Sequence, residues 1–467
     1  MIVLKRGLRG VQLWWHGLDP TRLLVLSFVV LIATGTTGLM FLPGMYAGQP
    51  LSTLDALFTI TSAVCVTGLT VIDITTRLTF WGQLWLLCCI QVGGLGLITL
   101  TTLVIAALGR RLSLRSEIIG SVTVELRGSR SVTSLTWAIA RTTLMMEGAG
   151  AVVLWVQWME EFPPLEAGWH AVFHAISAFC NAGFSTFSTS MVSHAARPGV
   201  LLTISGLIIL GGIGYLSGEE ALRWLRHGGR MGPRRLSSQT HTVLLMTVVL
   251  LTSGMLLFLV FEWTGVLATM GTLDRVVNAW FMSVTARTAG FNSVPYVQVS
   301  NASAALTILL MVAGGAPGST AGGIKTTAVA VLAALAVARV KGRRYVQLHD
   351  RAIPPGTLER TVSVALMAFT LMAAAAFILS FTESRGQDVA SSRAEFLPLV
   401  FEAVSAFCTV GLSMDETPRL TNPGKLVVIG LMFVGRVGLL SFFAAISLRT
   451  SGALRDYRPA REDVIVG

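Results

Sequence analysis

The chain has 467 residues, of which 53% are hydrophobic and only 13% charged, and its mean hydropathy is +0.70. Soluble domains carry roughly 25% charged residues, so the composition excludes a soluble enzyme or binding domain and predicts an all-α polytopic membrane protein. The formal net charge of +11 does not point to nucleic acid. The basic residues sit in short loops between apolar runs, where the positive-inside rule places them.

The N-terminal segment 1–20, with Trp14, Trp15 and several basic residues, has no cleavage-site pattern and is predicted to lie at the cytoplasmic membrane interface. Apolar runs near 20 residues mark membrane spans, here at 21–42, 80–108, 135–158, 198–217, 241–261, 302–338, 361–381 and 424–448. The loops after the second, fourth and sixth runs are basic: Arg110, Arg111, Arg115, Arg127 and Arg130, then Arg223, Arg226, Arg230, Arg234 and Arg235, then Lys341, Arg343, Arg344 and Arg351. The loops after the odd-numbered runs carry acidic residues instead, among them Asp55, Asp73, Glu160, Glu262 and Asp415. Both termini are therefore expected in the cytoplasm. The cysteines, Cys65, Cys88, Cys89, Cys180 and Cys408, are odd in number and are expected to be free thiols.

Each outer loop holds a further apolar segment too short to span: LSTLDALFTITSAVCVTGLTV, GWHAVFHAISAFCNAGFSTF, DRVVNAWFMSVTARTAGFNSV and EFLPLVFEAVSAFCTVGLSM. Aligned on Gly68, Gly183, Gly290 and Gly411, they share Phe58, Phe173, Trp280 and Phe401 ten places earlier. Six places earlier stand Ser62, Ser177, Val284 and Ser405, and three places earlier Cys65, Cys180, Arg287 and Cys408. This is internal repetition. It predicts four units of helix, re-entrant pore loop and helix around one central pore, over 21–110, 132–218, 240–340 (with a broken second helix) and 357–450, followed by a cytoplasmic segment at 451–467. A half-helix that turns back at a glycine can aim carbonyls inward, and irregular backbone at membrane depth must line a watery path or be buried. The candidate ion-binding residues are Val66, Thr67 and Gly68; Asn181, Ala182 and Gly183; Thr288, Ala289 and Gly290; and Thr409, Val410 and Gly411. Their side chains are neutral, so backbone oxygens must replace an ion's water. That suits a large monovalent cation better than Mg²⁺ or Ca²⁺, which favour carboxylates.

With TSAVCVTGLTVID, SAFCNAGF, TARTAGF and SAFCTVGLS, nearly the whole chain resembles the Trk/Ktr/HKT superfamily of potassium transporters. The VTGLTVID form and the short N-terminus are most similar to the Ktr-type membrane subunit. The resemblance implies potassium uptake across the bacterial inner membrane through a channel-like pore, since glycine in all four filters goes with K⁺ and serine in the first with Na⁺. A requirement for Na⁺ is left open by these residues. The resemblance further implies a homodimer with one pore per protomer and a separate cytosolic nucleotide-binding regulatory ring (KtrA-like).

The stretch GGAPGSTAGGIKTT lies inside the sixth run. Read as a phosphate loop it fails, because Ile324 stands where the lysine should follow Gly323 and Lys325 comes one place late. Glycines and Pro317 break the helix there instead. The resemblance implies that Gly314, Gly315, Ala316, Pro317, Gly318, Ser319, Thr320, Ala321, Gly322 and Gly323 form a gating loop beneath the filter, with Arg436 beside it. An arginine inside a membrane is a functional candidate by default, and the structural alternative is a pair with a buried acid such as Glu147 or with loop carbonyls. Lys325 is expected to snorkel to the cytoplasmic surface. Arg287 is expected to brace the back of the filter, and the three aligned cysteines to pack behind it without metal. His170 and His174 are expected to be interfacial polar residues. Glycines in QVGGLGLITL and LGGIGYLSG (Gly93, Gly94, Gly96, Gly211, Gly212, Gly214) are expected to let helices pack closely. Asp55 suits a helix N-terminus, and Asp73 lies outside the filter. A hydrolytic pump is excluded by the displaced lysine and the absence of a soluble domain. A proton-coupled symporter would need more intramembrane ionisable residues than Glu147 and Arg436, and a sodium-conducting or non-selective transporter is the remaining alternative.

Overall fold

The computed structural model describes residues 20–112, 132–226, 236–349, 351–384 and 388–439. Trp14, Trp15, the basic residues Arg115, Arg127, Arg130, Arg230, Arg234 and Arg235, and the segment 451–467 lie outside them. The same sequence of elements occurs four times: a long helix, a short helix ending in an irregular turn, and a second helix. The first unit is α1 (Pro20–Phe41), α2 (Thr53–Val64) and α3 (Phe80–Leu112). The second is α4 (Val132–Trp158), α5 (Pro164–Phe179) and α6 (Pro198–Ile213), continued by α7 (Tyr215–Arg226). The third is α8 (Ser238–Glu262), α9 (Thr272–Thr285), and a second helix in two pieces, α10 (Asn301–Val312) and α11 (Thr326–Val340). The fourth is α12 (Pro355–Glu383), α13 (Val389–Phe407) and α14 (Asn422–Val437). A short antiparallel hairpin, β1 (Gln347–Leu348) and β2 (Arg351–Ala352), joins the last two units.

The stretches Leu24–Phe41, Thr136–Trp158, Ser238–Glu262 and Pro355–Glu383 are long and apolar enough to cross a membrane. They are the first helices of the four units. Only 28% of each is buried within the chain, so their apolar surface faces outward, as it must in lipid. The second helices are less regular. α6 and α7 meet at 107° because Gly214 has φ +82°, a conformation that L-residues with a β-carbon rarely adopt. The span predicted at 198–217 is therefore not one straight helix. The equivalent glycine of the fourth unit, Gly438 (φ +88°), ends α14.

Each short helix packs on the second helix of the preceding unit: α5 on α3, α9 on α6, α13 on α10, and α2 on α14. The last contact closes a circle, so the four units share one core. Glycine permits the tightest approaches in it. A β-carbon on Gly93 would lie 2.1 Å from the Val64 carbonyl oxygen, on Gly211 1.9 Å from that of Phe179, and on Gly435 1.8 Å from that of Phe407. These carbonyls stand at one repeat position, immediately before Cys65, Cys180 and Cys408. The packing role expected of Gly93, Gly94 and Gly211 is thus realised, whereas Gly96 faces open space and Gly214 is a bend.

A clasp recurs in the third and fourth units, where the first helix ends and the second begins. Glu262, at the end of α8, accepts from the Ser300 amide (2.9 Å) and hydroxyl (2.7 Å) and from the Val266 amide (3.1 Å). Glu383, at the end of α12, accepts from the Thr421 amide (2.8 Å) and hydroxyl (2.7 Å). Ser300 and Thr421 cap α10 and α14, so one carboxylate ties the first helix to the start of the second. Removing a buried carboxylate strands several donors, worth about 2–3 kcal/mol. Glu262→Ala should therefore lower the thermal unfolding midpoint of the purified protein in detergent, and Glu262→Gln should lower it less. An unchanged midpoint in the alanine variant would rule the clasp out as a stabilising element. Between the first and fourth units, Lys425 donates to Asp55 at 2.7 Å. Partial burial would raise the Asp55 carboxyl, but Lys425 and Ser52 outweigh it and hold its pKa below the ordinary value.

Candidate functional site

The four short helices end in turns of one design. After the helix, φ is positive at Val66, Asn181, Thr288 and Thr409 (+56°, +59°, +67°, +50°) and again two residues later at Gly68, Gly183, Gly290 and Gly411 (+96°, +68°, +83°, +94°). Alternating the sign of φ turns successive carbonyls toward the same side, where a regular strand would alternate them. The amides are tied backward. Thr67, Ala182 and Val410 donate to the carbonyls of Ser62 (2.8 Å), Ser177 (2.7 Å) and Ser405 (2.8 Å), and Ala289 donates to that of Thr285 (3.0 Å). The aligned serines also brace the turns: the Ser62 and Ser405 hydroxyl oxygens accept from the Gly68 (3.0 Å) and Gly411 (3.1 Å) amides. Among the described residues no hydrogen bond ends on a carbonyl of the twelve turn residues. The Asn181 amide also turns away, toward the carbonyls of Ala178 (3.0 Å) and Ile208 (3.2 Å).

The turns meet. A β-carbon on Gly68 would lie 2.5 Å from the Ala182 carbonyl oxygen, on Gly183 2.8 Å from that of Ala289, on Gly290 2.5 Å from that of Val410, and on Gly411 2.1 Å from that of Thr67. The contacts run from unit one to two, three, four and back to one. Four glycines thus form a closed ring in which a methyl group at any corner collides with the backbone of the next.

The broken helix lies against this ring. Residues 313–325 are irregular and pinned at both ends: Gly314 donates to the Ile324 carbonyl (2.9 Å) and Thr326 to that of Gly315 (3.0 Å). Ala316 donates to the Gly212 carbonyl (2.9 Å), and the Thr320 hydroxyl to that of Phe179 (3.2 Å). A β-carbon on Gly322 would lie 1.9 Å from Thr409 Oγ1, so the loop touches the turn of the fourth unit directly. Arg436, 3% exposed, donates through Nη1 to the Thr320 carbonyl and through Nη2 to that of Gly93 (3.2 Å). It does not pair with Glu147, which instead accepts from Gln91 Nε2 at 3.0 Å. Lys325 does not reach for the surface either. Its Nζ donates to the Ala321 carbonyl at 2.6 Å, so two basic side chains hold adjacent carbonyls of one loop.

The family model described as TrkH, cation transport protein, matches residues 18–457. The chain belongs to the TrkH family. Among its relatives, the potassium/sodium uptake protein NtpJ of Enterococcus hirae is 34% identical, over 100% of both chains. The Ktr system potassium uptake protein B of Vibrio alginolyticus is 35% identical over 90% of each. The solved structure of the potassium transporter TrkH from Vibrio parahaemolyticus matches with a TM-score of 0.70 at 20% identity, covering 93% of this chain and 85% of that one, and so shares its fold. This TrkH-family chain is accordingly a multi-pass membrane protein built on the fourfold plan.

Other expected residues fall differently in this TrkH-family member. Arg287 reaches past its own turn: Nη2 donates to the Gly314 carbonyl at 3.3 Å, which ties it to the broken helix and not to the back of the turn. His170 and His174 turn into the protein interior. Both are buried, with His170 Nδ1 2.6 Å from Thr186 Oγ1 and His174 Nε2 2.9 Å from Ser185 Oγ. Cys65, Cys180 and Cys408 are free and buried, and no metal-binding cluster occurs among the described residues. Asp73 caps the short helix Ile74–Arg77, accepting from the Thr75 amide at 2.9 Å. Sequence reasoning passed over Glu402, which is fully buried on α13 and accepts hydroxyls from Ser413 (2.8 Å) and Thr417. A lone carboxylate in the apolar stretch FEAVSAF was the available signal.

Proposed function

We propose that this chain takes up potassium through the ring of four turns, with carbonyl oxygens of Val66–Gly68, Asn181–Gly183, Thr288–Gly290 and Thr409–Gly411 replacing the ion's water. The observation that carries this reading is the closed glycine ring, whose surrounding carbonyls accept no hydrogen bond from the described protein residues. Desolvating a monovalent cation needs such oxygens held in place beforehand. The names of the relatives, potassium/sodium uptake and Ktr potassium uptake, agree with it. One charge moving through 100 mV gains about 2.3 kcal/mol, roughly a fiftyfold concentration ratio, so the membrane potential drives accumulation without nucleotide hydrolysis in this chain.

In the same reading, the loop Gly314–Gly323 and Arg436 close the path on one side of the ring. Both termini lie in the cytoplasm, and the chain forms a homodimer whose basic inner face receives a nucleotide-binding regulatory ring. A second reading, conduction of sodium, is favoured by the potassium/sodium wording of the Enterococcus hirae relative. Reversal potentials of the protein in planar bilayers separate the two. In mixed KCl and NaCl they should follow the K⁺ gradient; tracking of the Na⁺ gradient selects the second reading, and absence of any cation current overturns both. Rubidium uptake into vesicles with and without sodium then reads any sodium requirement.

A further inference from the structure

Nine places before each ring glycine stand Thr59, His174, Phe281 and Glu402, and two places after it stand Thr70, Ser185, Asn292 and Ser413. In the second and fourth units these two positions are joined. His174 Nδ1 lies 2.7 Å from the His170 carbonyl. A carbonyl only accepts, so Nδ1 carries the proton and, in the neutral ring, Nε2 accepts from the Ser185 hydroxyl at 2.9 Å. The Ser185 oxygen in turn accepts the Phe187 amide at 2.9 Å. In the fourth unit Glu402 accepts from the Ser413 hydroxyl at 2.8 Å and from the Thr417 hydroxyl, and the Ser413 oxygen receives the Thr417 amide at 3.5 Å. The design is the same, with imidazole in one unit and carboxyl in the other.

The first and third units lack it. Thr59 Oγ1 donates to the Asp55 carbonyl of its own helix at 2.8 Å, and Phe281 has no polar atom. The glycine contacts run through the units in order, so the second and fourth are diagonal neighbours across the axis. One diagonal of the ring therefore carries this brace from the position nine places before the glycine, on fully buried side chains (both 0% exposed); the other does not, and its third unit is tied instead by Thr285 Oγ1 on the Phe291 carbonyl (2.8 Å) and by the Asn292 amide on Ser190 Oγ (3.2 Å). Trp158, Phe187 and Phe291 pack around His174, with ring centroids 5.0, 4.9 and 6.2 Å away, which fixes the imidazole itself.

We infer that His174 and Glu402 are positioning residues that hold the exits of two opposite turns through Ser185 and Ser413, and so set how sharply the ring discriminates among alkali cations. This rests on the reading of the turns as the ion filter. Discrimination between ions differing by a few tenths of an ångström needs oxygens held to that tolerance, and a displacement near 1 Å at a site can lower performance roughly a hundredfold.

The test measures the rubidium-to-sodium flux ratio in vesicles for His174→Ala, Glu402→Ala, His174→Gln and Glu402→Gln, together with hydrogen exchange at the Phe187 and Thr417 amides. In the alanine variants the ratio should fall roughly ten- to hundredfold and those amides should exchange faster. The glutamine variants, which keep an acceptor at similar reach, should recover most of the ratio. Folded alanine variants with an unchanged ratio overturn the inference. Should they fail to fold, Ser185→Ala and Ser413→Ala break the same bonds from the other side, and an unchanged ratio in both overturns it equally. A wild-type protein that carries no alkali cation sinks the filter reading instead. In that event unaltered amide exchange in the variants overturns the brace independently.

Discussion

Alanine in place of Gly411 should reduce rubidium uptake into vesicles roughly a hundredfold. Two effects combine. At φ +94° a residue with a β-carbon is strained by about 1–2 kcal/mol or more. Its methyl group would also stand 2.1 Å from the Thr67 carbonyl oxygen, and overpacking of this kind typically costs about 1–3 kcal/mol. That oxygen belongs to backbone held by the Thr67 amide bond to Ser62, so it cannot yield as a side-chain tip would. At about 1.4 kcal/mol per decade, the sum reaches two decades. Gly68→Ser meets a similar collision, at 2.5 Å from the Ala182 oxygen, and the family resemblance implies that serine there shifts preference from potassium toward sodium. Purified, monodisperse Gly411→Ala protein with wild-type uptake and selectivity would show that the ring is not the path.

The second large effect is expected at Arg436 and has the opposite sign. Arg436→Ala removes two charge-assisted hydrogen bonds, to Thr320 and Gly93, each worth about 1.5–3 kcal/mol. If these hold the loop closed, losing even one shifts the closed-to-open balance roughly ten- to hundredfold, and rubidium flux rises accordingly. Arg436→Lys separates the two ways an arginine can block cations. It keeps the charge but cannot span both carbonyls with a planar fork. A wild-type flux in the lysine variant would assign the block to electrostatic repulsion, and a raised flux to the tether. A well-folded alanine variant with unchanged flux would remove Arg436 from the gate.

Lys325 shows why the loop resists a purely sequence-based reading. Its distance from the surface depends on where the chain doubles back, and that is fixed by Arg287 on Gly314, Thr320 on Phe179 and Ala316 on Gly212. Each partner lies far away along the chain. The aligned glycines and serines, by contrast, belong to one local segment each. Their regular offsets already require four similar turns, because a backbone conformation with positive φ tolerates few residue types.

Composition alone established a membrane-embedded helical chain, since so few charges cannot cover a water-soluble surface. The offsets around Gly68, Gly183, Gly290 and Gly411 established the fourfold plan, and the glycines around Pro317 the break in the sixth run. Only the tertiary structure decided which groups meet. It placed Arg436 on loop carbonyls away from Glu147, buried His174, paired Glu402 with Ser413, bent the second helix of the second unit at Gly214, and clasped Ser300 and Thr421 with Glu262 and Glu383. The reason is that periodicity and turn chemistry act over a few residues, whereas a polar side chain in a low-dielectric interior goes wherever the folded backbone leaves a partner for it.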